Sequence, residues 1–248
     1  MKQFLCIVLA LCLFSVAADA QVKKTTVKKK SVVKTKVVSS KKVPVIVQKK
    51  PVEVPGIRVK ITTDSGVIVV RLYDSTPLHR DNFVKLVKEH FYDSLLFHRV
   101  IQDFMIQGGD PQSKNADPGQ MLGNGGGDMQ RIPAEFRTTL IHKKGVLAAA
   151  RDNNPEKASS ACQFYLVQGK KMTDAELSMV ETQIGRKYTA IERLIYKEKG
   201  GTPFLDGNYT VFGEVVSGLN VIDKIASVQK DPNDRPFGDV RMKMEIIP

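Results

Sequence analysis

From residue 58 onward the apolar positions come in short runs with a period of two. Arg58-Val59-Lys60-Ile61-Thr62-Thr63 and Val67-Ile68-Val69-Val70-Arg71-Leu72 are β-branched stretches joined by Asp64-Ser65-Gly66, which predicts a hairpin with Gly66 supplying a positive φ. Thr76-Pro77 then reads as an N-cap followed by proline in the first turn. Phe83, Leu86, Val87 and His90 recur at i, i+3, i+4 and i+7, one face of an amphipathic helix laid over the hairpin. Short apolar strands follow around Phe97 to Ile101, Phe104 to Gln107, Gly145 to Ala149 and Gln163 to Val167, separated by clusters of Gly, Pro, Asn and Asp. Many short strands and few helices indicate a mainly β chain closed as a barrel. The strict alternation from Val240 to Ile246 ends it on a half-buried strand.

Residues 171 to 202 break this rhythm. Thr173-Asp174-Ala175-Glu176 and Thr189-Ala190-Ile191-Glu192 have the form of capping boxes, and Gly200-Gly201 stops the second helix. The pattern predicts a helical hairpin inserted between two barrel elements, packed against itself and the barrel by Leu177, Val180, Ile184, Ile191, Leu194 and Ile195. It leaves after Gln168-Gly169 and returns at Thr202-Pro203-Phe204, beside any groove that Phe204 borders.

Before residue 56 the pattern is of another kind. Met1 to Ala20 opens with Lys2, runs apolar from Phe4 to Val16 and ends in Ala18-Asp19-Ala20, the layout of a secretory signal peptide cleaved after Ala20. The apolar run is shorter than the roughly 20 residues a membrane-spanning helix needs. Gln21 to Pro55 is almost wholly Lys, Val, Thr, Ser and Pro, with 11 Lys and a single Glu. Such a segment repels itself and buries too little to offset its ordering entropy, so it is expected to be a disordered linker. Its lysines offer weak, salt-screened contact with anionic surfaces, at most about 1 kcal/mol each. The domain reading is therefore leader 1–20, linker 21–55 and folded domain 56–248, with export to the periplasm or the exterior as the expected location.

Charge confirms where the fold begins. The net charge of +12 would indicate nucleic acid, but the linker holds +10 of it, and residues 56–248 carry 26 basic against 24 acidic side chains. A nearly neutral domain outside the cytoplasm has no nucleic acid to bind. Three cysteines, two of them before residue 13, exclude a disulfide scaffold. His79, His90, His98 and His142 have no metal-ligand spacing, so no metal is expected. The run Gly123 to Gly127 lacks the Lys-Ser/Thr of a phosphate loop, and Asp231 to Arg235 fails the calcium-loop pattern. Cys162, directly before an apolar strand, reads as a buried structural thiol.

What remains is Phe97-His98-Arg99-Val100-Ile101-Gln102-Asp103-Phe104-Met105-Ile106-Gln107-Gly108-Gly109-Asp110. A strand with Phe104 and Met105, carrying Arg99 and Gln107 toward one groove, suits an apolar ligand with a polar group to orient. A core strand with solvated polar edges fits the spacing equally well.

This stretch resembles the signature of the cyclophilins, the cyclosporin-type peptidyl-prolyl cis-trans isomerases. Ile132-Pro133-Ala134-Glu135-Phe136, Lys144 to Ala150, Ser160 to Leu166 and Phe204 to Gly213 follow in the family's order, so the resemblance spans residues 57 to 248 apart from the insertion. It implies an eight-stranded antiparallel β-barrel capped by two helices, at Pro77 to Glu89 and Leu219 to Ala226. Matched residue by residue, Arg99 is the catalytic arginine, with Gln107 beside it as second catalytic candidate. Phe104, Met105, Tyr165 and Leu205 match walls of the proline pocket, while Gln107, Ala150, Arg151 and Gln163 match positions that orient the substrate backbone. Four positions depart from common family residues: Tyr165 for Phe, Arg151 for Asn, Phe204 for Trp and Tyr209 for His. Phe204 lacks the indole N–H that the family's Trp offers cyclosporin. The resemblance implies rotation of X-Pro bonds in proline-containing polypeptides folding outside the cytoplasm, with no cofactor. The alternative is a barrel that binds proline segments, as a chaperone would, without catalysis.

Overall fold

The computed structural model describes residues 56–248; the expected leader and linker lie outside the described residues. β1 (Arg58–Thr63) and β2 (Gly66–Leu72) form the expected hairpin, pairing Arg58 with Arg71 through Thr63 with Gly66. Their alternation buries Val59, Ile61, Ile68, Val70 and Leu72. Gly66 has φ 138°, and a Cβ there would press to 2.9 Å on Val221, so glycine serves both the turn and the packing.

α1 (Pro77–Lys88) buries Phe83, Leu86 and Val87 as expected. His90 lies beyond the helix, exposed and at φ 55°, so the periodic face ends one turn earlier than its spacing implies. The N-cap expectation is also corrected. Thr76 makes no side-chain cap; the carboxylate of Glu135 accepts from the N–H groups of Leu78 (3.2 Å) and His79 (3.0 Å) instead. A charged acceptor from a distant segment satisfies the orphan donors at the positive end of the helix.

The remaining strands are β3 (Arg99–Ile101), β4 (Met105–Gly108), β5 (Val146–Ala149), β6 (Phe164–Val167), β7 (Val211–Ser217) and β8 (Met242–Ile247). They form one antiparallel sheet in the order β3-β4-β6-β5-β7-β2-β1-β8. The sheet curls until its edges meet at a bridge between Leu96 and Arg241, where Phe97 donates to the Val240 carbonyl and Met242 to that of Leu95. This seam explains why β3 and β8 start later than expected: Phe97 and Val240 bond across it rather than in a ladder. Phe104 likewise falls in the β3–β4 turn, donating to Ile101, with Asp103 at φ 60°. α1 and α4 (Leu219–Ala226) pack on the sheet as the two expected capping helices.

β5 and β6 are buried on both faces, which is why they read as continuous apolar runs. One face joins the main core, where Phe83 meets Tyr92, Phe164 and Phe212 at centroid distances of 5.1 to 5.6 Å. The other face, with Met105, Val146, Ala148, Ala150 and Tyr165, forms a second cluster beside Phe104, Leu205 and Tyr209.

A helical hairpin, α2 (Asp174–Ile184) and α3 (Ala190–Glu198), lies between β6 and β7, and both expected capping boxes are formed. Leu177 and Val180 are buried in a third cluster, with Ile184 and Ile195 partly buried. Ile191 and Leu194 correct the expectation, being 72% and 56% exposed. Tyr188 and Tyr196 take the buried positions instead. The stem closes where Gly201 donates to the Lys170 carbonyl (3.1 Å) and Thr202 to that of His142 (2.8 Å). Gly169 at φ 60° fits there because a Cβ would strike the Gly201 backbone.

Candidate active site

Strand register builds the site. Arg99 on β3 pairs with Gln107 on β4, Gln107 pairs with Tyr165 on β6, and Tyr165 pairs with Ala148 on β5. Directly opposed residues share a face of the sheet with Cβ atoms about 5 Å apart. The row Arg99, Gln107, Tyr165 is therefore set by hydrogen-bonded backbone, and Met105, two residues before Gln107, points the same way. With Phe104, Ala150, Arg151, Leu205 and Tyr209 these side chains line a cleft of about 190 Å³. Nine of the eleven expected site residues thus meet in one cavity.

The other two border it. Phe204 packs on Phe104, ring centroids 5.7 Å apart. Gln163 donates its amide to the carbonyls of Gly123 (2.8 Å) and Gly125 (3.0 Å) and accepts from Gln107 Nε2 (3.0 Å). Two carbonyl acceptors assign the Gln163 amide orientation. Gln107 then spends its N–H on Gln163 and keeps its own carbonyl oxygen for a ligand.

Arg99 is half exposed, and its ion-pair partner among the described residues is Asp234, 3.8 Å from Nε. Asp234 sits closer to Lys230, at 2.7 Å. The guanidinium is thus steered without being locked, and its fork of donors stays available. Arg151 is engaged: it donates to the carbonyls of Asn208 (2.9 Å) and Asp152 (2.8 Å) and lies 4.7 Å over the Tyr209 ring. It braces Tyr209, which meets Tyr165 edge-on at 6.0 Å.

Sequence reasoning missed two features. The glycine run, considered as a phosphate loop and rejected, lines a second groove of about 310 Å³ that shares Gln107, Ala150 and Arg151 with the cleft. It is pinned by Asp110, whose carboxylate accepts from the N–H groups of Gly123 and Gly125. The second feature is a buried polar chain behind the cleft. Tyr165 Oη lies 3.0 Å from His142 Nε2, His142 Nδ1 lies 2.7 Å from Asp206 Oδ1, and Asp206 Oδ2 accepts from Tyr188 (2.8 Å) and Tyr196 (2.6 Å). Its members are far apart in sequence and carry no motif.

Another trio has the hydrogen-bond order of an acyl-transfer triad: Ser159 Oγ is 2.9 Å from His79 Nε2, and His79 Nδ1 is 2.7 Å from Glu135. All three are buried, and the space that His79 lines is about 10 Å³, too small for a substrate. Burial lowers the His79 pKa against the pull of Glu135, so the imidazole is neutral and structural. Cys162 is buried too, its thiol pushed up to about 11 mainly by desolvation, so it stays protonated and unreactive.

The family model for cyclophilin type peptidyl-prolyl cis-trans isomerases matches residues 58–245, which hold β1 to β7, most of β8 and the cleft. The chain belongs to the cyclophilin family. A protein of Staphylococcus aureus (strain COL), provisionally named a peptidyl-prolyl cis-trans isomerase, is 34% identical over 192 residues, covering 77% of this cyclophilin and 91% of the relative. A bifunctional phosphatase/peptidyl-prolyl cis-trans isomerase of Streptococcus pyogenes serotype M6, also provisionally named, is 36% identical over 188 residues, 75% of this chain and 37% of its own. A cyclophilin of Cryptosporidium parvum, solved in the presence of the dipeptide Ala-Pro, superposes with a TM-score of 0.58 at 21% identity, covering 77% of this chain and 99% of its own. That structure shares the fold.

Proposed function

We propose that this cyclophilin isomerises X-Pro bonds of polypeptides in the cleft between Arg99 and Tyr209, after export. The observation that carries the reading is the register-fixed row of Arg99 and Gln107 over an apolar pocket. An amide resists rotation by about 18 to 20 kcal/mol because the nitrogen lone pair is delocalised into the carbonyl, and uncatalysed X-Pro exchange takes tens of seconds or more. Withdrawing that lone pair lowers the barrier. Arg99, always charged, donates to the prolyl nitrogen as it pyramidalises and to the prolyl carbonyl. Met105, Phe104, Tyr165 and Leu205 hold the ring while the preceding carbonyl swings. Gln107 accepts a substrate N–H, and Gln163 keeps its amide in that orientation. An acceleration of about 10⁴ requires some 5 to 6 kcal/mol of preferential transition-state binding, and neither nucleophile nor cofactor enters the steps.

Arg99→Ala tests the reading. Because the side chain sits at the cleft mouth, the variant should fold with unchanged melting temperature, while kcat/KM on a proline tetrapeptide falls at least about a hundredfold, some 2.7 kcal/mol. Near-normal exchange in the folded variant would remove Arg99 from this role.

The leader pattern of residues 1–20 supports export, and the Lys-rich segment 21–55 supports a spacer with weak affinity for anionic surfaces. Among the described residues no helix is long and apolar enough to cross a membrane. Sequencing the N-terminus of the mature protein checks the export reading; Gln21 is the expected first residue, and retention of Met1 would overturn it.

A further inference from the structure

Asp206 follows Leu205, a wall of the cleft, yet points away from it into a buried polar knot. Its carboxylate accepts four hydrogen bonds: Oδ1 from the His142 backbone N–H (2.8 Å) and Nδ1–H (2.7 Å), Oδ2 from the hydroxyls of Tyr188 (2.8 Å) and Tyr196 (2.6 Å). Burial works against the charge, but the bonds from His142 and Tyr196 outweigh it and hold the carboxyl below its usual range. Burial and the Asp206 charge push both tyrosines up, so they remain donors. With Nδ1 turned to Asp206, His142 sets its Nε2 against the Tyr165 hydroxyl at 3.0 Å. The His142 and Tyr165 rings lie nearly parallel, 14° apart.

An apolar ring alone would line the pocket. The Tyr165 hydroxyl adds a tether that runs through His142 and Asp206 to two residues of the helical hairpin, Tyr188 before α3 and Tyr196 within it. A buried carboxylate missing donors would move to recover them or draw in water, and Leu205 and Tyr165 are the cleft walls bonded to it, one by the peptide chain and one through His142.

We propose that Tyr188 and Tyr196 are positioning residues for the proline cleft, the hairpin holding the Tyr165 and Leu205 walls in place through Asp206 and His142. This rests on the cleft being the site of X-Pro rotation. The hairpin thereby acts on short and long substrates alike.

The test is a double-mutant cycle in the full chain. Tyr196→Phe should raise KM for a proline tetrapeptide about fivefold, with kcat within about twofold, because the walls bind the ring and Arg99 is untouched. Tyr165→Phe cuts the same tether at the cleft end, so adding Tyr196→Phe to it should cost little more. Ile191→Ser, on the exposed face of the same helix, should change neither parameter. Unchanged KM in folded Tyr196→Phe, or independent multiplication of the two effects, overturns the proposal. Should Tyr196→Phe fail to fold, Tyr188→Phe takes its place: the one Tyr188 hydroxyl proton is shared between Asp206 Oδ2 (2.8 Å) and the Pro203 carbonyl (3.0 Å), so its loss strips less from the carboxylate. A readout without turnover separates this idea from the function itself: in the free protein the tyrosine variants should shift the Tyr165 ring resonances and the His142 Nε2 signal. Shifts in a chain that does not accelerate exchange would sink the isomerase reading and keep the tether; unmoved resonances would sink the tether.

Discussion

His98 and Arg99 are neighbours with opposite fates. Arg99 reaches the cleft mouth, while His98 is 3% exposed, with neither ring nitrogen hydrogen-bonded among the described residues. Burial pushes the His98 pKa down to about 4, against the pull of the Asp110 carboxylate. An unfolded chain takes up the same proton near pH 6.5. Between those values the unfolded state binds more protons, so stability is full above about pH 6.5 and falls with pH by up to about 3 kcal/mol, flattening below about pH 4. His79, lowered by the same cause, adds in the same direction. Urea unfolding of His98→Gln between about pH 7 and pH 4 should show most of the His98 share of that slope removed; an unchanged slope would place the loss elsewhere. The cleft residues were legible because the period of a strand and a dense motif both act over neighbouring positions. Asp206 and His142 were not, since their value comes from burial together, and no local pattern records which of two distant polar residues will meet.

At the level of elements, helix signals proved readable where donor and acceptor are three residues apart. Both hairpin capping boxes formed, but Thr76 did not cap α1, because Glu135 supplies a charged acceptor from far along the chain. Thr76→Ala should therefore cost under about 1 kcal/mol, the range for a single weak neutral hydrogen bond. Glu135→Ala, which strips acceptors from the helix N–H groups of Leu78 and His79 and from the buried His79 ring, should cost about 3 kcal/mol or more. Equal losses in thermal or urea unfolding would mean that Thr76 caps after all. The exposed Ile191 and Leu194 carry a related lesson. Periodicity marks an apolar face, but the hairpin's inward face was chosen by tyrosines whose hydroxyls had a carboxylate to reach.

Across the whole molecule, nearly all the net charge belongs to residues 21–55, outside the described fold. A chain beginning at Gly56 should keep its melting temperature and its tetrapeptide kcat/KM within about twofold, while losing any retention on anionic vesicles that the full chain shows at low salt. Vesicle binding by the shortened chain would move the anionic contact onto the folded domain. Seven of the strands and the first capping helix could be read from short runs, turns and period, while α4 was expected only from the family resemblance; the seam at Leu96 and Arg241 could not be read, because single bonds between strand ends leave no periodic trace. One further property follows from the hairpin stem, where Gly201 meets the Lys170 carbonyl and Gly169. Helical hairpins built on local contacts assemble in microseconds, long before distant strands find each other. Once that neck shuts, the excursion between β6 and β7 drops out of the path that β7 must close to reach β5, and closure entropy depends on that shortened path. The barrel should therefore carry this extra element at little cost to the rate at which β7 finds β5.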